Sequence, residues 1–368
     1  MVREAAREFT EGVLRVLVCP TAFKESLSAA QVTDAVVEGV RRGQPTAEIH
    51  GMPVSDGGPG LLDAILAVEG GEIRVFEVCG PLGDPVEARS LWVSPTEVVV
   101  ETADACGLHL ASSVDREPMR ADTRGVGELV AGCIEQGATD IAMGLGGSAT
   151  VDGGTGLARV FGYCFVDGNG EDLPAGGGFL DILARVEAGP SLPAEVAVTA
   201  IADVSAPLTG PDGAARRFGP QKGASPWQVE TLESGLTRLG DRLRVDLGRD
   251  VTDLPGAGAS GGLGAGCVAF LGANLVPGSD WVLHRLAFDE VLADADLVIT
   301  GEGAWDATSG MGKVTGEILR RSLAAAVPAL LVCGRAADPT PAGVTVVGGR
   351  GEWLDANGVT RLVADAVC

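Results

Sequence analysis

Five segments of the chain share one pattern: a short apolar run stops, glycine or another small residue follows, and a charged side chain stands beside it. They are CPTAFKESLSA (19–29), PVSDGGPG (53–60), GLGGSATVDGG (144–154), ADVSAPLTGPDGAARRFGPQKGA (202–224) and ITGEGAWDATSGMGK (299–313). Backbone without side chains lets peptide N–H groups form a concavity for an anion. Carboxylates at the same place can hold Mg²⁺ through one or two of their number. A phosphate cradle, a metal and a cation for developing charge are what phosphoryl transfer requires. Each cluster alone also admits a plainer reading, a tight turn or the close approach of another segment.

Within these segments particular residues are candidates for particular tasks. Gly146, Gly147 and Ser148, with Gly144 ahead of them, could cradle phosphates. Lys24 follows Phe23 and could neutralise a transferring phosphoryl group, or be a solvated lysine. Asp56 could accept the proton of an acceptor hydroxyl or bind Mg²⁺; a helix N-cap is its alternative. Asp203 and Asp306 are further base or metal candidates. Glu302 reads as part of a tight G-E-G turn, too cramped for a merely solvated charge. Lys222 and Lys313 could screen phosphate charge or lie at the surface, and Trp305 could line the pocket beside Asp306. Core packing suits Trp92 and Trp281 better.

A dinucleotide site is the rival. GAGASG (256–261) fits G-x-G-x-x-G, but no buried strand precedes it. GLGGSA (144–149) follows a strand, and Asp167 stands about 20 residues on, as a ribose contact requires. TVDGGTG, directly after it, is however a poor helix start. A Walker A loop is absent: Gly312-Lys313 is followed by valine and position 307 is alanine.

The elements that must hold these residues alternate in type. RVLVCP (15–20), EIHGMPVS (48–55), ADLVITG (295–301), PALLVCG (328–334) and TVVGG (345–349) read as strands. SAAQVTDAVVEGVRRG (28–43), GLLDAILAVEGG (60–71), GEILRRSLAAA (316–326) and VTRLVADAV (359–367) read as helices between and after them. That β-α alternation specifies a parallel sheet covered by helices. The middle differs. IRVFEVCGPLGDPVEARSLWVS (73–94) is a hairpin signal around PLGDP. TEVVVETA (96–103), TDIAMG (139–144) and EVAVTAIADV (195–204) read as strands, and GVGELVAGCIEQGA (125–138) as a helix. SPWQVETLESGLTRLGDRLRVDLG (225–248) reads as a long amphipathic helix for the core or a dimer surface. The ends resemble each other and the middle does not. The expectation is two α/β domains: a discontinuous parallel one from 1–80 and 290–368, and an inserted mixed one from 81–289.

Bulk properties narrow the partners. The 368 residues are 46% hydrophobic and carry a formal net charge of −23. Such a chain repels nucleic acid and anionic membrane, so any anion site must be built locally. No apolar run approaches the roughly 20 residues of a membrane span, and the first residues lack a signal peptide's apolar middle; a cytoplasmic location is expected. Eight scattered cysteines without a CxxC read as reduced thiols, and three histidines without metal spacing argue against zinc. The 55 glycines are about twice the usual share and cluster at strand ends.

PTAFKESLSA, PVSDGGPG, MGLGGSATVDGGTG, FGPQKGAS, PGAGASGGLGA and LVITGEGAWD followed by GK resemble, in order and spacing, the signatures of bacterial ATP-dependent glycerate kinases of type 1. The resemblance runs from about residue 15 to 365. It implies two α/β domains with the active site in the cleft between them, ATP and Mg²⁺ as co-substrates, and phosphorylation of D-glycerate, generally at the 2-hydroxyl. It adds Gly258, Gly261 and Gly262 to the expected cofactor contacts. The chain departs from the family pattern at Glu25 for glycine, Pro59 and Leu61 for Glu and Thr, Ser205 and Ala206 for Asp and Asn, and Ala304 and Thr308 for Arg and Gln. Loss of that Arg removes a carboxylate or phosphate partner. A changed acceptor, such as another small hydroxy acid or a hydroxyphosphonate, therefore stands beside glycerate, and a dinucleotide-dependent oxidoreductase or a non-catalytic ligand-binding relative behind both.

Overall fold

The computed structural model describes residues 13–23, 26–111, 116–306, 309, 313–337, 339–348, 350–351 and 354–368. In chain order its strands are β1 (Arg15–Val18), β2 (Glu48–Gly51), β3 (Glu72–Cys79), β4 (Pro85–Trp92), β5 (Glu97–Glu101), β6 (Asp140–Leu145), β7 (Cys164–Val166), β8 (Arg185–Glu187), β9 (Ala197–Ala202), β10 (Asn274–Pro277), β11 (Leu297–Trp305), β12 (Ala329–Ala336) and β13 (Val344–Gly348). Contacts divide the chain into two units. The first comprises Met1–Asp56, Asp63–Gly70 and Gly278–Cys368; the second comprises Gly57–Leu62 and Gly71–Pro277.

In the first unit five parallel strands run in the order β13-β12-β11-β1-β2. The chain steps outward in opposite directions from β1 and β11, which makes the carboxyl ends of those two neighbours a topological switch point. The helix Ala29–Gly43 begins where Ser28 and Gln31 cap each other: Gln31 N donates to Ser28 Oγ at 3.2 Å, and Ser28 N to Gln31 Oε1 at 2.9 Å. Val32, Val36 and Val40, four apart, form its buried stripe against Val16, Val18 and Ile299. Helix Ala356–Val367 lies on it so closely that a Cβ at Gly39 would stand 2.7 Å from Thr360 O.

The second unit is built on a six-stranded sheet, β10-β9-β6-β5-β4-β3. Its β5, β6, β9 and β10 are parallel and the β3-β4-β5 edge is antiparallel. The long helix Pro226–Leu247 buries Val229, Leu232, Leu236, Leu239 and Leu243. The glycine-rich stretch after it forms a buried helix, Ala259–Leu271, which the sequence reading left without a structure.

The boundaries fall at Gly71 and Gly278, where the sequence reading set them at 80 and 290. Two contacts explain the shift. Strand β3 pairs with β4 along its full length, from Glu72 opposite Trp92 to Cys79 opposite Pro85, so the hairpin stays whole in the second sheet. Arg321 donates to Asp280 at 2.8 Å and to Asp289 at 2.7 Å, which ties the segment after 278 to the first unit.

Candidate active site

In the second unit the candidates collect at the carboxyl ends of β6 and β9. Lys222, in the turn Pro220–Lys222, is only 3% exposed, so the surface alternative fails. Its Nζ donates to Ser148 Oγ at 2.9 Å and to Thr150 O at 2.7 Å. Both acceptors are neutral, while an ammonium carries three protons. Asp152 and Asp203 favour its charge only through space. Burial dominates and pulls its pKa down to about 8. Asp203 follows β9, and its Oδ2 lies 3.0 Å from where a Cβ on Gly146 would stand.

Asp152 is fully buried and accepts from Thr123 N at 3.0 Å, Thr123 Oγ1 at 2.8 Å, Gly154 N at 3.2 Å and Gly156 N at 3.0 Å. Through these bonds it starts the helix Thr155–Val160, so TVDGGTG does open a helix. The expectation of a poor start overlooked an acid two residues ahead of the first turn's free N–H groups.

In the first unit Asp56 and Asp306 follow β2 and β11, and Glu302 and Lys313 stand near them. Glu302 lies within β11 opposite Cys333 rather than in a turn; the ladder to β12 runs on through G-E-G because glycine tolerates strand geometry. Its pKa is raised to about 7, chiefly by burial. A Ser309 hydrogen bond and Lys313 oppose that rise, and the charges of Asp306 and Asp56 add to it. Glu302 Oε1 is buried without a hydrogen-bond partner among the described residues. Trp305 packs with Leu319, Leu331 and Cys333 in the core. Lys24, Glu25 and Thr308 lie outside the described residues.

The six glycines expected to touch a cofactor each lie close to another segment of the chain. An added Cβ would stand 2.6 Å from Gly57 O at Gly144, 2.8 Å from Gly58 Cα at Gly146 and 2.8 Å from Pro59 Cγ at Gly147. At Gly258, Gly261 and Gly262 it would meet Pro207 O at 2.3 Å, Thr150 O at 1.9 Å and Gly153 Cα at 2.9 Å. Segment 57–59 lies on the first three, and backbone of the segments that follow β6 and β9 on the others, so a side chain at any of them would meet the chain itself. Two departures are core residues too: Leu61 is fully buried, and Ala206, buried, accepts from Gly258 N at 2.9 Å.

Sequence reasoning missed two residues. Glu101, at the end of β5 and 3% exposed, accepts from Gly60 N at 3.0 Å and Leu62 N at 2.8 Å through Oε1. An acid closing the apolar run VVVE was the available signal. Ser260 has φ +50°, inside a helix and just before two more left-handed residues, Gly261 and Gly262. Nothing local marked it.

The family model described as the glycerate kinase family matches residues 16–346. Glycerate kinase of Halalkalibacterium halodurans is 39% identical over 322 residues, covering 87% of this chain and 85% of that protein. Glycerate 2-kinase of Escherichia coli K12 is 40% identical over 304 residues, covering 82% and 80%. A crystal structure from Salmonella typhimurium LT2, assigned to glycerate kinase 2, superposes with a TM-score of 0.81 at 35% identity and 97% coverage of both chains. The chain is thus an α/β kinase, a phosphotransferase with an alcohol group as acceptor and ATP implied as donor. It belongs to the glycerate kinase family. Neither the oxidoreductase nor the non-catalytic alternative has support in these matches. No helix among the described residues is long and apolar enough to cross a membrane.

Proposed function

We propose that this protein phosphorylates D-glycerate from ATP, at the 2-hydroxyl, in the cytoplasm. The observation that carries the site reading is the Lys222 ammonium, buried against two neutral oxygens. A buried cation without a hydrogen-bonded carboxylate is stabilised by an anion brought to it. Ser148, 4% exposed and bonded to Lys222, joins it in binding a phosphate or carboxylate oxygen. Gly144, Gly146, Gly147, Gly258, Gly261 and Gly262 shape that pocket by letting the chain pass close.

In the first unit Asp56 accepts the proton of the attacking hydroxyl, which spreads negative charge onto an oxygen otherwise too weak a nucleophile. Lys313 and Lys24 balance charge on the transferred group. Glu302, held partly protonated near neutrality, limits the repulsion that three full negative charges would bring. Asp306 in the first unit and Asp203 in the second are each a carboxylate of the kind Mg²⁺ takes, one or two at a time, beside phosphate oxygens. When bound, the ion supplies charge neutralisation between ATP phosphates.

The burial of Leu61 and Ala206 favours glycerate over an altered acceptor, since these replacements change packing rather than pocket polarity. The test is ATP consumption with D-glycerate beside other C3 and C4 hydroxy acids, with the product identified by mass and position. Turnover of another acid in preference to glycerate would overturn the reading. Asp56→Asn is expected to lower kcat by roughly a hundredfold or more, the size of a lost general base; turnover within a few-fold of the parent would remove Asp56 from its role.

A further inference from the structure

Ser260 combines two unfavourable features at one residue. Its φ of +50° is a conformation in which an L side chain crowds its own backbone, and glycine would adopt it freely. Its Oγ is buried and has no hydrogen-bond partner among the described residues, although a hydroxyl out of water ordinarily finds one. Strain and an orphaned polar atom at one position are the marks of a site kept for a ligand.

Its neighbours say which ligand. Thr150 Oγ1 donates to Ser260 O at 3.5 Å, and a Cβ on Gly261 would stand 1.9 Å from Thr150 O. Thr150 O is the carbonyl that receives the Lys222 ammonium. The left-handed turn at 260–262 and the buried cation therefore close on one carbonyl of the chain. A hydroxyl with a free proton, on a turn packed against the carbonyl that an ammonium binds, suits an anionic oxygen and no cation.

We infer that the Ser260 hydroxyl is a further binding contact, donating to the phosphate or carboxylate oxygen held by Lys222. The inference rests on the reading of the Lys222 pocket given above. It assigns Ser260 a ligand-binding role and the turn that carries it a functional reason.

Ser260→Gly removes the hydroxyl while suiting the backbone, and Ser260→Ala removes the hydroxyl alone. ATP with Mg²⁺, and D-glycerate, are titrated separately into the intact protein by calorimetry. Both variants are expected to lose roughly tenfold or more in affinity for one ligand, as for a lost hydrogen bond to a charged group, and to bind the other within twofold. The ligand affected tells whether the oxygen belongs to the nucleotide or to the acid. Ser260→Gly is expected to melt no lower than the parent. Parent-like binding of both ligands by Ser260→Gly overturns the inference, and so does an equal loss for both. Lys222→Met separates the layers: if it loses affinity while Ser260→Gly does not, the pocket stands and Ser260 has no part in it. If neither variant loses affinity, the pocket reading fails as well. Absence of glycerate phosphorylation in the parent would remove the proposed reaction without touching the ATP arm.

Discussion

Lys222 is the side chain whose chemistry depends most on burial. Water stabilises an ammonium better than Ser148 and Thr150 do, and its pKa falls to about 8. The group is charged at pH 7 and loses its charge as pH rises through that value. Affinity for the anionic ligand is therefore expected to decline between pH 7 and pH 9.5, with the bend near 8, in calorimetric titrations. Lys222→Met is expected to abolish the bend and to weaken binding by roughly a hundredfold. Affinity flat over that range would sink the assignment. The lysine was legible in FGPQKGAS as a candidate, but its depth was not, because a lysine among polar and small residues in sequence gives no sign of what folds over it.

At the scale of elements, the Gly57–Leu62 segment is fixed from outside itself. The first turn of helix Leu61–Glu69 takes its cap from Glu101, a distant residue on β5. Burial holds Glu101 at a pKa of about 7, above its ordinary value of 4.5. The folded state then binds a proton that the unfolded chain has released, so this group's stabilising contribution is complete below pH 4.5 and is lost as pH rises through 7. Glu101→Gln is expected to flatten the parent's fall in melting temperature between pH 5 and pH 8. Glu101→Ala, which leaves two N–H groups bare, should cost about 1–3 kcal/mol in denaturant unfolding. A parent-like pH profile for Glu101→Gln would refute the linkage. The turn at 260–262 makes a second case. Gly261→Ala puts a methyl 1.9 Å from Thr150 O at φ +71°, and overpacking of that kind destabilises by about 1–3 kcal/mol or more. The same substitution at Gly248, where φ is +66° but no atom lies within 4 Å, is expected to cost about 1–2 kcal/mol from backbone strain alone.

Over the whole molecule, burial sorts the cysteines. Cys19, Cys106, Cys133, Cys267 and Cys333 are buried and free, Cys79 is half-buried, and Cys164 and Cys368 are exposed. Burial raises the thiol of Cys106 to about 12 and that of Cys133 to about 11, which leaves little reactive thiolate. A thiol reagent should label Cys164 and Cys368 promptly in the native protein and all eight only in denaturant. Prompt native labelling of Cys106 would contradict the packing described. Local pattern alone determined the β-α alternation, the β3-β4 hairpin and the motif series that marks the glycerate kinase family. These follow from periodicity, turn chemistry and spacing, which neighbouring residues carry. What packs against the bare glycines, how deep Lys222 and Glu302 lie, that Glu101 caps a distant helix and that Ser260 is held left-handed were decided by the tertiary structure. Each depends on which segment the chain brings back against the site, and contacts between residues far apart along the chain leave no period in it.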